Sequence, residues 1–164
     1  MKNEIVSFLS DSVNWRKVLI TYDNRKNDVP AKGGVYKIIT NAPVEVLKKV
    51  TNRIDKKHYD FYKKITESTS LVKELVIQED LVDGYVVYIG HQANLKQRVR
   101  EHFFGSKGTG CLNIFEGEVL RQYKWYFEYV EVADIEGFTN TKLSRVYLEQ
   151  SVRFISGWPV LCSQ

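Results

Sequence analysis

The 164-residue sequence predicts a single α+β domain, with a three-stranded, mainly antiparallel sheet flanked by helices. Three runs of β-branched and aromatic residues suit strands, and the stretches between them carry apolar residues at helical spacing. Hydrophobic residues make up 43% of the chain and aromatics 13%, which fits a packed core and argues against disorder.

Residues 1–28 read as an N-terminal extension, with a short apolar stretch at 15–22 and a polar loop at 23–28. Val29-Pro30-Ala31-Lys32-Gly33 is a turn-rich entry to the first strand, 34–40. From 41 to 80 the period changes. Pro43 suits a first helical turn, Val44, Leu47, Val50 or Thr51, and Ile54 recur at helical spacing, and a second run takes in Tyr62, Ile65 and 71–77. This segment is expected to be a helical insertion of two or three helices. Asp83-Gly84 leads into the second strand, 85–90. Asn94 is placed to cap a helix over 95–104, and Gln97 completes a capping-box pattern. Residues 105–110 form a glycine-rich loop without the order of a P-loop, and 124–132 is the third strand. The last helix spans about 141–155 and is ended by Gly157 and Pro159.

The formal net charge is +4, and the stretch from Glu45 to Lys64 carries that whole excess. Lys48, Lys49, Arg53, Lys56, Lys57, Lys63 and Lys64 are its cations, interleaved with His58, Tyr59, Phe61 and Tyr62. A DNA-contacting face and a plain solvated helix face are level readings of that pattern. Lys96, Arg100 and Lys107 are further candidate DNA contacts. Cys111 and Cys162 are the only cysteines and form no CxxC pair, which excludes a cysteine-rich zinc site and suits a reducing cytoplasm. Three widely spaced histidines disfavour a histidine metal cluster. No leader-like segment and no span of about 20 apolar residues is present, so no membrane partner is expected.

Four separated elements each offer a polar group with a chemical use. The first two strands carry Tyr36 and Tyr88. The helix after the second strand carries Arg98 and His102, four residues apart on one face and beside the apolar stripe Leu95, Val99, Phe103. The last helix carries Glu149 next to Leu148, a setting that partly buries the carboxylate and needs a compensating partner such as a cation. Taken singly, each has an ordinary structural reading: strand tyrosines with wet hydroxyls, a solvated arginine, a surface histidine, and a glutamate paired with Arg145 or Arg153 along its helix. His91, just after the second strand's glycine, is placed to face a substrate.

Taken together, Gly34-Val35-Tyr36, Tyr88-Ile89-Gly90, Asn94-Leu95, Arg98, His102, Glu149 and Pro159 resemble the GIY-YIG nuclease module, over roughly residues 29–162. Two features depart from that family's pattern. A helical insertion replaces the short hairpin between the two tyrosine strands, and Val160-Leu161-Cys162 stands where the family tends to have an asparagine after the proline. A thiol is not expected to replace that hydrogen-bonding partner. The resemblance implies a metal-dependent endonuclease that hydrolyses phosphodiester bonds in DNA. Glu149 would hold one divalent cation, Mg²⁺ or alternatively Mn²⁺, and Arg98 would grip the scissile phosphate. Tyr36 would position or deprotonate the attacking water with His102 relaying the proton, while Tyr88 would orient water or phosphate. A stand-alone restriction-type enzyme or a phage or repair nuclease fits the length, and a double-strand cutter would be a homodimer. The rival reading is a nucleic-acid-binding module that keeps the fold without catalysis, and an RNA or branched-DNA substrate stays open.

Overall fold

In the computed structural model, which describes residues 2–50, 60–105 and 110–162, four strands form one sheet: β1 (Arg16–Leu19), β2 (Gly34–Thr40), β3 (Tyr85–Gln92) and β4 (Trp125–Glu131). Their order is β1-β4-β2-β3 and every neighbouring pair is antiparallel. The helices are α1 (Lys2–Ser10), α2 (Val44–Lys48), α3 (Phe61–Leu71), α4 (Leu95–Phe104) and α5 (Lys142–Ser156). The α+β class and the three longer strands match expectation, and the sheet has one strand more. That strand, β1, is four residues long, largely exposed and paired only with β4. Its Arg-Lys-Val-Leu sequence lacks the alternation that marks a half-buried strand. The N-terminal extension is thus built into the sheet, and α1 packs against α5.

Successive strand side chains point to opposite faces, and both faces of this sheet are covered. Tyr36, Ile38, Phe127 and Tyr129 belong to one core with Leu95, Val99 and Phe103 of α4 and Phe61 and Ile65 of α3. Val35, Ile89 and Val130 belong to the other, with Leu148 and Val152 of α5 and Ile5 and Leu9 of α1. The strand β2 lies between two neighbours and is almost wholly buried, while β3 is a sheet edge.

Between β2 and β3 the helical pattern stops earlier than its period suggests. The helix α2 ends at Lys48, and Thr51 and Ile54 lie outside the described residues. The buried face of α3 is Phe61, Ile65 and Ser68, whereas Tyr62 is exposed. Residues 72–77 leave the helix because their backbone pairs elsewhere: Ile77 N–H donates to the Trp158 carbonyl (3.0 Å) and Trp158 N–H to the Leu75 carbonyl (2.8 Å). Helix ends follow the capping rules. Asn94 Oδ1 accepts from Gln97 N–H (3.0 Å) and Thr141 Oγ1 from Ser144 N–H (3.1 Å). The reciprocal half of the capping box is absent, because the Gln97 amide donates to Glu101 instead (2.8 Å). The final helix ends at Gly157, whose φ of 94° favours a residue without Cβ.

Candidate functional site

The strand pairing sets Tyr36 opposite Gly90, on the sheet face that α4 covers. A Cβ on Gly90 would lie 2.5 Å from Tyr36 Oη and 2.8 Å from the Tyr88 ring, so both phenols occupy the space that glycine leaves. Gly34 is demanded by a different neighbour, since a Cβ there would meet the Val130 carbonyl at 2.3 Å. The Tyr36 ring stacks on Phe127 with centroids 4.8 Å apart, and the Tyr88 ring lies 4.9 Å from the His102 ring. These packings fix both phenols against rigid strands.

Tyr36 Oη receives two hydrogen bonds. Arg98 Nε–H donates at 3.0 Å, and His102 Nε2 lies at 2.7 Å. The direction of the second follows from the imidazole's other nitrogen, which accepts the Leu112 N–H (3.2 Å). Burial, with Arg98 beside it, holds His102 well below its ordinary pKa, so the ring is neutral. A neutral imidazole with Nδ1 accepting carries its proton on Nε2 and donates to Tyr36. In this arrangement His102 supports the phenol as a donor, and it has no open nitrogen with which to accept Tyr36's proton.

Burial pushes the Tyr36 phenol well above its ordinary pKa, with Tyr88 adding to the rise and Arg98 opposing it. Tyr88 is raised by the same cause. Burial works against the charge of Arg98, but Tyr36 and Glu101 outweigh it and hold the guanidinium above its usual value. Arg98 also donates from Nη1 to Glu101 (2.8 Å) and from Nη2 to the Gly110 carbonyl (3.0 Å). The same guanidinium hydrogen-bonds the Tyr88 phenol, and a planar fork of this kind suits an anionic oxygen.

Glu149 comes from the opposite layer. Its side chain is 12% exposed, and Oε1 accepts from Arg153. Oε2 stands 3.6 Å from His91 Nε2, too far for a hydrogen bond and open to another donor or cation. Burial raises the Glu149 carboxyl above the usual range, with Arg153 and Arg98 pulling the other way. Its charge acts on Tyr36 and Tyr88 as the smallest of their influences, and the Arg98 charge acts on Glu149. Among the described residues no group of three or more His, Cys, Asp or Glu side chains could hold a metal ion. The carboxylate with one open oxygen fits a hard cation that keeps most of its own waters.

Several participants were not legible as such in the sequence. Cys162 makes two sulfur hydrogen bonds to one residue of the Tyr88-Ile89-Gly90 motif, receiving the Ile89 N–H and donating to the Ile89 carbonyl, each at 3.3 Å. The thiol therefore does act as a two-way partner for that backbone, contrary to expectation. Leu161 N–H donates to the Val87 carbonyl (2.9 Å), so the C-terminal segment runs along the exposed edge of β3. The helical spacing of Arg145, Glu149 and Arg153 foreshadowed an ion pair, and Arg153 alone forms it. Arg145 is 9% exposed, bonds to Asn140, leaves its Nε without a partner and pairs with no carboxylate among the described residues.

Of the candidate DNA contacts, Lys48 pairs with Glu45 (2.6 Å) and Lys63 with Glu67 (3.8 Å), while Lys49 closes α2 and Lys64 lies in the first turn of α3. Lys96 and Arg100 are exposed on α4. Arg53, Lys56, Lys57 and Lys107 lie outside the described residues. No helix among the described residues is long and apolar enough to cross a membrane. Comparison with protein-family models, curated proteins and solved structures finds no match.

Proposed function

We propose that this chain is a metal-dependent endonuclease of the GIY-YIG type that hydrolyses phosphodiester bonds in DNA. The observation that carries the reading is the buried phenol Tyr36, receiving hydrogen bonds from both Arg98 and His102, with the half-buried Glu149 reaching the same neighbourhood from the other face of the sheet. Structural tyrosines are ordinarily satisfied by one backbone or water partner. Burial outweighs the pull of Arg98 and keeps the phenol protonated, so the two converging donors hold Tyr36 Oη as a fixed positioning group.

In this reading the Arg98 guanidinium meets the scissile phosphate and neutralises charge as it develops. Tyr36 Oη, kept protonated by its burial, orients the attacking water without acting as its base. His102 holds that oxygen in place by donation, while the Tyr88 ring stacks beside Tyr36. Glu149 Oε2 would hold Mg²⁺ or Mn²⁺, whose chemistry here is to lower the pKa of water and to stabilise the leaving oxygen. A restriction-type enzyme cutting both strands would act as a homodimer with one site per strand.

Supercoiled plasmid incubated with Mg²⁺ or Mn²⁺ tests this directly. Conversion to nicked or linear forms by the wild type, and its loss in Glu149→Ala, is the expected result. Tyr36→Phe should abolish cleavage and Tyr88→Phe weaken it. A wild type that binds DNA but leaves plasmid intact with either ion would support the non-catalytic binding module instead.

A further inference from the structure

Beside the site, the loop of residues 25–27 and the outer side of α4 enclose a groove of about 600 Å³ lined by Arg25, Lys26, Lys96, Arg100 and Phe104. No acidic side chain lines it, and among the described residues none of its four cations has a carboxylate partner. Clustered like charges ordinarily repel and spread, yet here the walls are fixed. Ile20 and Val29 bury the two ends of the loop, and Asn27 Oδ1 accepts the Val29 N–H (3.2 Å). Lys96 N–H donates to the Pro30 carbonyl (3.0 Å), and the Arg25 guanidinium sits 5.5 Å over the Phe104 ring. A second depression shares Lys96 and Arg100 with the groove and reaches Gln97 and Glu101. Glu101 is the residue that grips Arg98. The two adjoining depressions, which share Lys96, Arg100 and Gly105, together form a trough that is basic at the N-terminal loop and ends across α4 at Glu101, the partner of Arg98.

We propose that this trough binds the phosphodiester backbone of the nucleic-acid strand that flanks the scissile phosphate, with Arg25 and Lys26 of the N-terminal loop and Lys96 and Arg100 of α4 each meeting a phosphate. The proposal rests on the nuclease reading, because Arg98 marks where the cleaved phosphate lies. It assigns the N-terminal extension a role in substrate binding that its sequence did not suggest.

Fluorescence anisotropy with a labelled 30-base-pair duplex, in a salt series without divalent metal, tests it. Each phosphate contact contributes about 0.9 to the slope of log affinity against log salt. The Arg25→Ala/Lys26→Ala double variant should lose roughly two units of slope, and adding Lys96→Ala/Arg100→Ala should take the loss to between about three and four. At about 0.1 M salt the quadruple variant should bind on the order of 100-fold more weakly or worse. A control pair of equal charge, Lys17→Ala/Lys73→Ala, should keep the wild-type slope. If removing the groove cations destabilises the fold, Lys26→Glu/Lys96→Glu, both at exposed positions, reads the same slope. Wild-type binding and slope in the groove variants, or an equal loss in the control pair, overturns the trough while leaving the nuclease reading standing. A wild type that neither binds nor cuts DNA overturns both.

Discussion

Gly90→Ala isolates the geometry on which the site depends. The added methyl would lie 2.5 Å from Tyr36 Oη, 2.7 Å from Tyr36 Cζ and 2.8 Å from Tyr88 Cε1. Ordinary carbon–oxygen contact begins near about 3.5 Å, so the hydroxyl must retreat by roughly 1 Å. Tyr36 cannot retreat into Phe127, which already stacks on it, so its movement breaks the 2.7 Å contact with His102 and the 3.0 Å bond from Arg98. Gly90 does not have a positive φ, so the penalty is overpacking and not backbone strain. Overpacking of this kind costs about 1–3 kcal/mol, equivalent to roughly 2–12 °C of Tm for a domain of this size. A displacement of about 1 Å at a reacting group costs on the order of 100-fold in rate. Thermal denaturation and plasmid nicking, measured on the same preparation, read the two effects. A variant with wild-type Tm and wild-type nicking would refute the argument that the glycine exists to admit the two phenols.

The acid limb of cleavage should lie above the ordinary carboxylate pKa of about 4.3, because burial raises Glu149 and only its ionised form takes a cation. In a pH–rate profile Arg153→Met should move that limb still higher, and a limb at or below 4.3 would count against Glu149. Stability should fall as pH drops below about 6.5, by up to about 1.4 kcal/mol per unit, since the unfolded chain protonates His102 while the folded state keeps it neutral. Tm measured from pH 7.5 to 5 should show this decline, and His102→Gln should flatten it. Burial pushes the Cys162 thiol up to about 11, so its contribution is present below the unfolded value near about 8.5 and is lost as pH rises towards 11. Cys162→Ala should flatten that alkaline decline and cost about 1–3 kcal/mol at neutral pH by stranding the Ile89 N–H; an unchanged urea midpoint would contradict it. Arg145→Met should leave stability equal or higher, because it removes a buried charge without a carboxylate partner. Arg153→Met should lower it by stranding Glu149, and a reversed order of the two midpoints would show the charge assignment to be wrong.

The strands β2 and β3 were legible as runs of β-branched and aromatic residues, and the helices α4 and α5 from their apolar spacing and because Asn94, Thr141 and Gly157 punctuate them. Tyr36, Arg98 and His102 could be grouped from one strand position and one helix face, and their side chains do meet. The strand β1 escaped because an edge strand with exposed Arg16 and Lys17 has little hydrophobic pattern to read. The helical run expected over 71–77 ends at Leu71, because the Leu75 carbonyl and the Ile77 N–H bond to Trp158, a partner about eighty positions away that no local window contains. The direction of the His102 hydrogen bond was also invisible, since it is decided by the Leu112 N–H. Side-chain identity proposes a role, and the partner of the other nitrogen selects it.

The place of the site on a sheet edge explains how groups from two layers converge. A central strand would wall off Glu149 on the α5 face from the phenols on the α4 face, because its two neighbours occupy both sides. The strand β3 has no neighbour beyond it, so Glu149 and Arg153 can reach around its rim, where Arg153 donates to the Ile89 carbonyl (3.3 Å). That openness leaves the Val87 and Ile89 backbone groups without a strand partner, a liability in any folded chain. Leu161 and Cys162 remove it by bonding to these same residues, which ties the end of the chain to the strand that carries Tyr88. What this position requires of a side chain is the capacity to accept one backbone N–H and donate to one carbonyl. An amide meets that requirement and so does a thiol, which is why cysteine at 162 leaves the edge closed.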